Sequence, residues 1–294
     1  MKLLVITQTV DKSDPVLGFM HRWLEEFGKN FEKVTVITLE KGEYNLPEIP
    51  VYSLGKEEGK SRLTYLLRFY KYIWQLRKDY DAVFVHMNQE YILLAGDIWR
   101  FMGKKVYLWR NHGEGSLLTR LSVFLSNKVF YTSPSSYTAR FPKSYKMPVG
   151  IDTNFFKPDP HVRRIPDSVL FLGRISPIKK VLEFIDWVKT TPYSATIAGP
   201  ILPKDKEYGE IVKHRVLDSK VRYIGPVTQS EALRLYQTHE IYVNKTEAGS
   251  FDKTIFEALA CGCKLIVDNL DAQNINIEEH SLARLMERLK EEIR

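Results

Sequence analysis

At 294 residues the chain is too long for one average domain and suits two of about 150 residues each. Its 44% apolar and 12% aromatic residues can build real cores, which excludes a disordered chain, and its two cysteines, Cys261 and Cys263, stand too close together for a disulfide framework and are too few for a zinc site. The net charge of +7 lies wholly in the first half, with 22 Lys and Arg against 15 Asp and Glu in residues 1–150 and 21 against 21 thereafter, which suggests that one half meets something anionic.

The chain opens on Lys2-Leu3-Leu4-Val5-Ile6, too short and too β-like for a signal peptide. No apolar run approaches the ~20 residues of a membrane span. The expectation is a soluble cytoplasmic protein, at most associated with the cytoplasmic face of a membrane. Strand-like runs follow at 3–7, 34–39, 51–54, 82–86, 105–109 and 129–132, with helical patterns at 19–29, 63–78 and 91–102. From 142 to 166 the pattern fails and Pro142, Pro148, Pro158, Pro160 and Pro166 accumulate around Gly150, a linker signature. Strands then resume at 169–172, 195–198, 221–224, 241–243 and 265–267, separated by helices near 180–189, 205–217, 229–238 and 253–260. Alternating β and α elements with apolar strands imply two doubly wound α/β domains, 1–150 and 151–294, each with a parallel sheet covered on both faces and the two facing a cleft.

Two loops of the second half carry chemistry. Leu172-Gly173-Arg174-Ile175-Ser176-Pro177-Ile178-Lys179-Lys180 runs from a strand into a helix. Gly173 lets backbone approach a ligand, Arg174 offers a forked donor to phosphate, Lys179 adds a mobile charge, and the helix start offers free N–H groups. Taken alone, this is also an ordinary basic loop. In the second, Asn244 to Gly262, Gly249, Ser250 and first-turn amides suit a phosphate, and Glu257, one turn into the helix, suits the hydroxyls of a ribose. Equally, Glu257 is readable as a solvated helix residue.

Together these loops resemble the donor-site signature of glycosyltransferase family 4 (glycosyl transferases group 1), retaining enzymes with the GT-B fold of two Rossmann-like domains. Gly-Arg-x4-Lys is matched by Gly173, Arg174 and Lys179, and the second glutamate of Glu-x7-Glu with Ala-x-Ala-x-Gly by Glu257 to Gly262. The linker from Pro148 to Pro158 resembles Asn-Gly-Ile-Asp-x3-Phe-x-Pro, and Tyr223-Ile224-Gly225-Pro226-Val227 stands where the family wraps backbone around the base. The resemblance spans residues 148–268.

The resemblance implies a retaining, metal-independent hexosyltransferase. It would move a sugar from a nucleotide-sugar, a UDP-sugar such as UDP-glucose ahead of GDP-mannose, to a glycan, lipid-linked or small acceptor, with no cofactor and no nucleic-acid partner. Arg174 and Lys179 then neutralise the departing diphosphate, with His112 near the donor sugar. Gly173, Glu257, Gly249, Ser250, Phe251, Lys253, Thr254, Gly225 and Gly18 line the donor. Four departures stand out. Gly249 replaces the first glutamate of Glu-x7-Glu, Lys180 replaces a usual glycine, Gly18 stands alone where Gly-Gly is expected, and only about 35 residues follow Glu257. They leave open a non-catalytic nucleotide-sugar binding protein, or an epimerase or phosphorylase of the same fold.

Two further features sit outside that signature. Asp79-Tyr80-Asp81 formally matches a metal-binding Asp-x-Asp but reads as a solvated turn before a strand. The helix 63–78 carries Leu63, Leu66, Leu67, Tyr70, Ile73 and Trp74 along one stripe with basic residues beside it. Packing that stripe on the protein's own sheet is the simpler reading; peripheral contact with an anionic membrane is the other.

Overall fold

The apolar runs of the first half become β1 (Lys2–Val10), β2 (Lys33–Lys41), β3 (Val51–Ser53), β4 (Ala82–His86), β5 (Lys105–Trp109), β6 (Lys128–Tyr131) and β7 (Ser144–Lys146). They form one parallel sheet in the order β3-β2-β1-β4-β5-β6-β7. Residues Leu3 to Ile6 of β1 are fully buried because the sheet is covered on both faces, which is why the run is continuous rather than alternating. The computed structural model describes residues 1–248, 251–272 and 274–293. Gly249 and Ser250, both named above, lie outside the described residues.

Helices α1 (Phe19–Asn30), α2 (Arg62–Gln75), α3 (Glu90–Phe101) and α4 (Leu117–Leu125) pack on this sheet. Phe69 and Ile73 of α2, Ile92, Ala95 and Trp99 of α3, and Val123 and Leu125 of α4 share a core with Leu4, Val83, Val85 and Leu108. The apolar stripe expected to bury α2 does so only in part: Leu63, Leu67 and Trp74 remain more than 60% exposed. Asp79 pairs with Lys33 at 2.8 Å and the Asp81 carboxylate accepts the Lys2 amide at 2.8 Å, so these two carboxylates tie a turn to the sheet edge.

In the second half, β8 (Ile165–Leu172), β9 (Ser194–Ala198), β10 (Val221–Tyr223), β11 (His239–Asn244) and β12 (Lys264–Val267) make a second parallel sheet, ordered β10-β9-β8-β11-β12. Helices α5 (Val181–Lys189) and α6 (Lys206–Leu217) share one core with it. Helices α7 (Gln229–Thr238) and α8 (Lys253–Ala260) share another. Cys261 and Cys263 are buried free thiols, both pushed up by burial, beside Arg164, which donates to the carbonyls of Tyr236, His239 and Cys261.

The chain divides into two compact units, Met1–Pro148 with Ala283–Arg294, and Val149–Leu282. The proline-rich segment is anchored in the second unit. Val149, Ile151 and Phe156 join its core, and Ile151 bridges Ser281. The last helix, α9 (Leu282–Glu292), belongs almost wholly to the first unit, where Lys128 meets Glu292 at 2.8 Å and Lys290 donates to Asn30. The second unit is therefore shorter than the 151–294 read from the sequence.

Candidate functional site

Strand order reverses between β8 and β11, since β9 and β10 extend one way and β12 the other. Loops leaving two such neighbours diverge, and the gap beyond their carboxyl ends is where open parallel sheets hold ligands. The loop after β8 supplies Gly173, Arg174 and Lys179; the loop after β11 leads to Asp252, Lys253 and Thr254 at the start of α8. These residues, far apart in sequence, are brought together across that gap: Lys179 forms an ion pair with Asp252, and Lys180 with Glu247.

The Lys179–Asp252 pair is nearly enclosed. Asp252 also accepts from Asn244 Nδ2 at 2.9 Å and Thr246 Oγ1 at 2.8 Å. Burial alone pushes the Asp252 carboxyl up; the Lys179 ammonium and these two donors more than reverse it, leaving it below its ordinary value. Asp252 is thus committed to fixing Lys179. Arg174 differs. Its guanidinium is half-buried and has no hydrogen-bond or ion-pair partner among the described residues.

Position 180 explains the usual glycine there. Lys180 is in the left-handed region, φ 50° and ψ 47°, at the cap before α5. A side chain costs about 1–2 kcal/mol in that conformation, and here its ammonium reaches across to Glu247.

On α8, Glu257 is buried and accepts from the Tyr236 hydroxyl at 3.0 Å. Burial first, then the Glu257 charge, raises the Tyr236 phenol well above its ordinary value, so it stays a donor. Lys253, one turn before Glu257, donates to the Val149 carbonyl at 2.5 Å. Burial lowers its ammonium to about 7 against the opposing pull of Glu257. Thr254 Oγ1 lies 2.7 Å from the Tyr242 hydroxyl, which is also 3.2 Å from the Leu172 carbonyl, locking α8 to the end of β8. Phe251 packs edge-on against Phe256 at 5.1 Å.

Backbone closes in at the ends of β8, β9 and β10. Gly199, at φ 141°, donates to the Gly225 carbonyl at 2.7 Å, and a Cβ on it would meet the Gly173 carbonyl oxygen at 1.9 Å. Gly225 has φ 83° and open space around it, whereas Gly173 meets nothing nearer than Phe171. Gly199, Tyr236, Asn244 and Thr246 were not singled out from the sequence. Gly199 had a signal, Gly-Pro immediately after a strand, but Tyr236 had none, because its partner is 21 residues away on another helix.

The first unit holds the two remaining candidates. His112 is exposed beyond β5, where its Nδ1 lies 3.0 Å from the Glu114 amide and 3.2 Å from the Glu114 carbonyl. Gly18 is buried at the cap of α1, where its amide donates to the Asp14 carbonyl at 3.0 Å, and its φ of −54° needs no glycine. His86 is buried at the end of β4 against Phe19 and Trp23.

The family model described as glycosyl transferase-like matches residues 179–293. No curated protein matches the sequence. Among solved structures, Anabaena HepE, determined in complex with UDP and glucose, is similar with a TM-score of 0.71 at 15% identity, covering 99% of this chain and 90% of that one. A sucrose-phosphate synthase from Thermosynechococcus elongatus gives 0.73 at 14% identity, covering 99% and 90%. The chain therefore shares the fold of these structures, two α/β domains with parallel sheets. The segment matched by the family model begins at Lys179 and contains Lys253 and Glu257; Gly173 and Arg174 precede it and owe their place to the sheet alone. A UDP-GlcNAc 2-epimerase from Methanocaldococcus jannaschii has a lower TM-score of 0.52 at 15% identity, covering 98% and 92%, so the fold also accommodates isomerisation of a nucleotide-sugar.

Proposed function

We propose that the chain transfers a hexosyl group from a UDP-sugar, UDP-glucose ahead of GDP-mannose, to an acceptor hydroxyl, with retention of configuration and without a metal ion. Arg174 carries the reading: a half-buried cation with no partner among the described residues, beyond the central strand at the switch point, is an anion site. Lys179, held by Asp252, and Lys253 add charge, so three side chains supply the counter-charge a diphosphate needs. Glu257, oriented by Tyr236, takes the ribose hydroxyls, and the glycines at the ends of β8 to β10 let backbone approach the base. The UDP and glucose in HepE support the choice of donor.

In this reaction the acceptor oxygen bonds to the anomeric carbon on the face from which the diphosphate leaves. The anomeric C–O bond breaks with its electron pair on phosphate, and the acceptor proton passes to that departing oxygen. Arg174 and Lys179 stabilise the charge that develops, which is electrostatic catalysis by fixed donors. His112 is the remaining candidate for a contact with the sugar.

Thermal unfolding in EDTA with UDP, GDP and their sugars tests the site. A ligand at 100 times its Kd stabilises the native state by about 2.7 kcal/mol. The expected result is a UDP-selective shift lost in Arg174→Ala; no shift with any nucleotide sinks the reading. Product analysis then separates transfer from the second reading, epimerisation: released UDP with a glycosylated acceptor supports transfer, and an isomerised UDP-sugar with no UDP supports the epimerase.

A further inference from the structure

We infer that the outer face of α2, α3 and α4 docks on an anionic lipid surface. Helix α4 buries Val123 and Leu125 in the core yet is also apolar on its outer side. It turns Thr119 and Ser122 inward, with Ser122 Oγ bonded to the Leu118 carbonyl, while Leu117, Leu118, Leu121 and Phe124 are 46–78% exposed. A helix that served only its own core would carry polar residues on that outer side. Its neighbours continue the surface: Phe101 of α3 is 95% exposed, and Leu63, Leu67 and Trp74 of α2 are more than 60% exposed. The three helices adjoin, since the Tyr70 hydroxyl donates to the Leu94 carbonyl and the Arg100 guanidinium lies 5.7 Å from the Phe124 ring. Contiguous exposed apolar surface of this kind marks an interaction site.

Charge selects the occupant. Helices α2 and α4 contain Arg62, Arg68, Lys71 and Arg120 and no acidic residue; Arg68 is held by Glu58, and α3 sets Arg100 against Glu90 and Asp97, so the positive excess comes from α2 and α4. Arg77 lies over the exposed Trp74 ring at 4.6 Å, a cation beside an amphipathic aromatic, as at a headgroup layer. A mostly apolar pocket of about 340 Å³ between α2 and α3, lined by Leu39, Leu54, Tyr65, Leu66, Phe69 and Tyr91, is wide enough for part of a lipid chain. No helix among the described residues is long and apolar enough to cross a membrane, so the contact is peripheral. This goes beyond the transfer reading and stands without it.

The test is sedimentation of the full chain with phosphatidylcholine vesicles, with and without phosphatidylglycerol, at two salt concentrations. Two variants, Leu117→Ser with Leu121→Ser and Arg62→Gln with Lys71→Gln, change exposed side chains only, and their melting curves confirm that they fold. The expected result is binding to the anionic vesicles alone, weakened by salt. Partitioning falls about 30-fold in the charge variant, at about fivefold per basic residue near the surface, and is lost in the apolar variant. The inference is overturned by no vesicle binding, by equal binding to neutral vesicles, or by binding that survives both variants. A dimer that the apolar variant dissociates, with no vesicle binding, overturns it too and makes this face a contact between copies.

Discussion

Burial lowers the Lys253 ammonium to about 7, and Glu257 one turn on only partly restores it. Between that value and the ordinary lysine value near ~10.4 the unfolded chain holds a proton that the folded one has lost, so stability rises with pH across the window. Lys253→Met removes that slope. A bound diphosphate draws the proton back, so UDP binding at pH 8 takes up a proton and weakens as pH climbs above about 7. Calorimetry in two buffers of different ionisation enthalpy reads the uptake, and uptake that persists in Lys253→Met assigns it to another group. The other cations separate by their partners. Arg174→Ala abolishes UDP binding and leaves the melting temperature alone. Lys179→Met strands the enclosed Asp252 carboxylate and costs about 3–5 kcal/mol, most of it recovered by adding Asp252→Asn; urea unfolding of the two variants beside the parent chain measures both, and no recovery means that Asp252 leans on its other donors. The motif made Gly173, Arg174, Lys179 and Glu257 legible in sequence. It was blind to what holds them, because Asp252 is 73 residues from Lys179 and Tyr236 is 21 from Glu257.

Elements were legible where burial and period agree. The strand at 82–86 and the helices at 229–238 and 253–260 were read at their observed limits because buried apolar residues sit at regular spacing between turn signals. The short β7 was missed because Pro142 and Pro148 mask three residues of pairing with β6. Helix α4 was missed because its outward apolar residues serve no core. The α2 stripe misled for the same reason, since apolar spacing cannot tell a face turned to a sheet from one turned away from it. Gly199 is where element geometry becomes testable. Gly199→Ala puts a methyl carbon onto the Gly173 carbonyl at a φ alanine rarely adopts, so the ends of β8 and β9 must part. The expected cost is about 3 kcal/mol or more by urea unfolding, together with loss of UDP binding. By contrast, Gly225→Ala meets no atom, and the same measurement should show only the left-handed cost of about 1–2 kcal/mol. Equal losses at the two positions would mean that backbone strain, not the close approach to Gly173, governs this edge.

At the scale of the molecule, two domains and a division near residue 150 could be read from the proline cluster. The last helix was not read from the sequence, and its return to the first unit could not be, because the spacing of Leu285, Met286 and Leu289 does not say which sheet they cover. That return makes the first unit discontinuous in sequence and dependent on its own far end. Leu285, Met286, Leu289 and Ile293 are 0–3% exposed, and each such side chain contributes about 1.5–3 kcal/mol on burial, as an upper estimate. Four of them approach the whole stability of a domain, about 5–15 kcal/mol. A chain ending after Leu282 therefore loses the first unit while keeping the pairing of Ile151 with residues 281–282 in the second. Four of the five tryptophans, Trp23, Trp74, Trp99 and Trp109, lie in the first unit and only Trp187 in the second, so the readouts are separable. Fluorescence of the truncated chain should resemble that of the unfolded protein while UDP still raises the melting of what remains. Native fluorescence would show that the first unit closes its core without the helix. Loss of UDP binding as well would show that the second unit does not stand without the first.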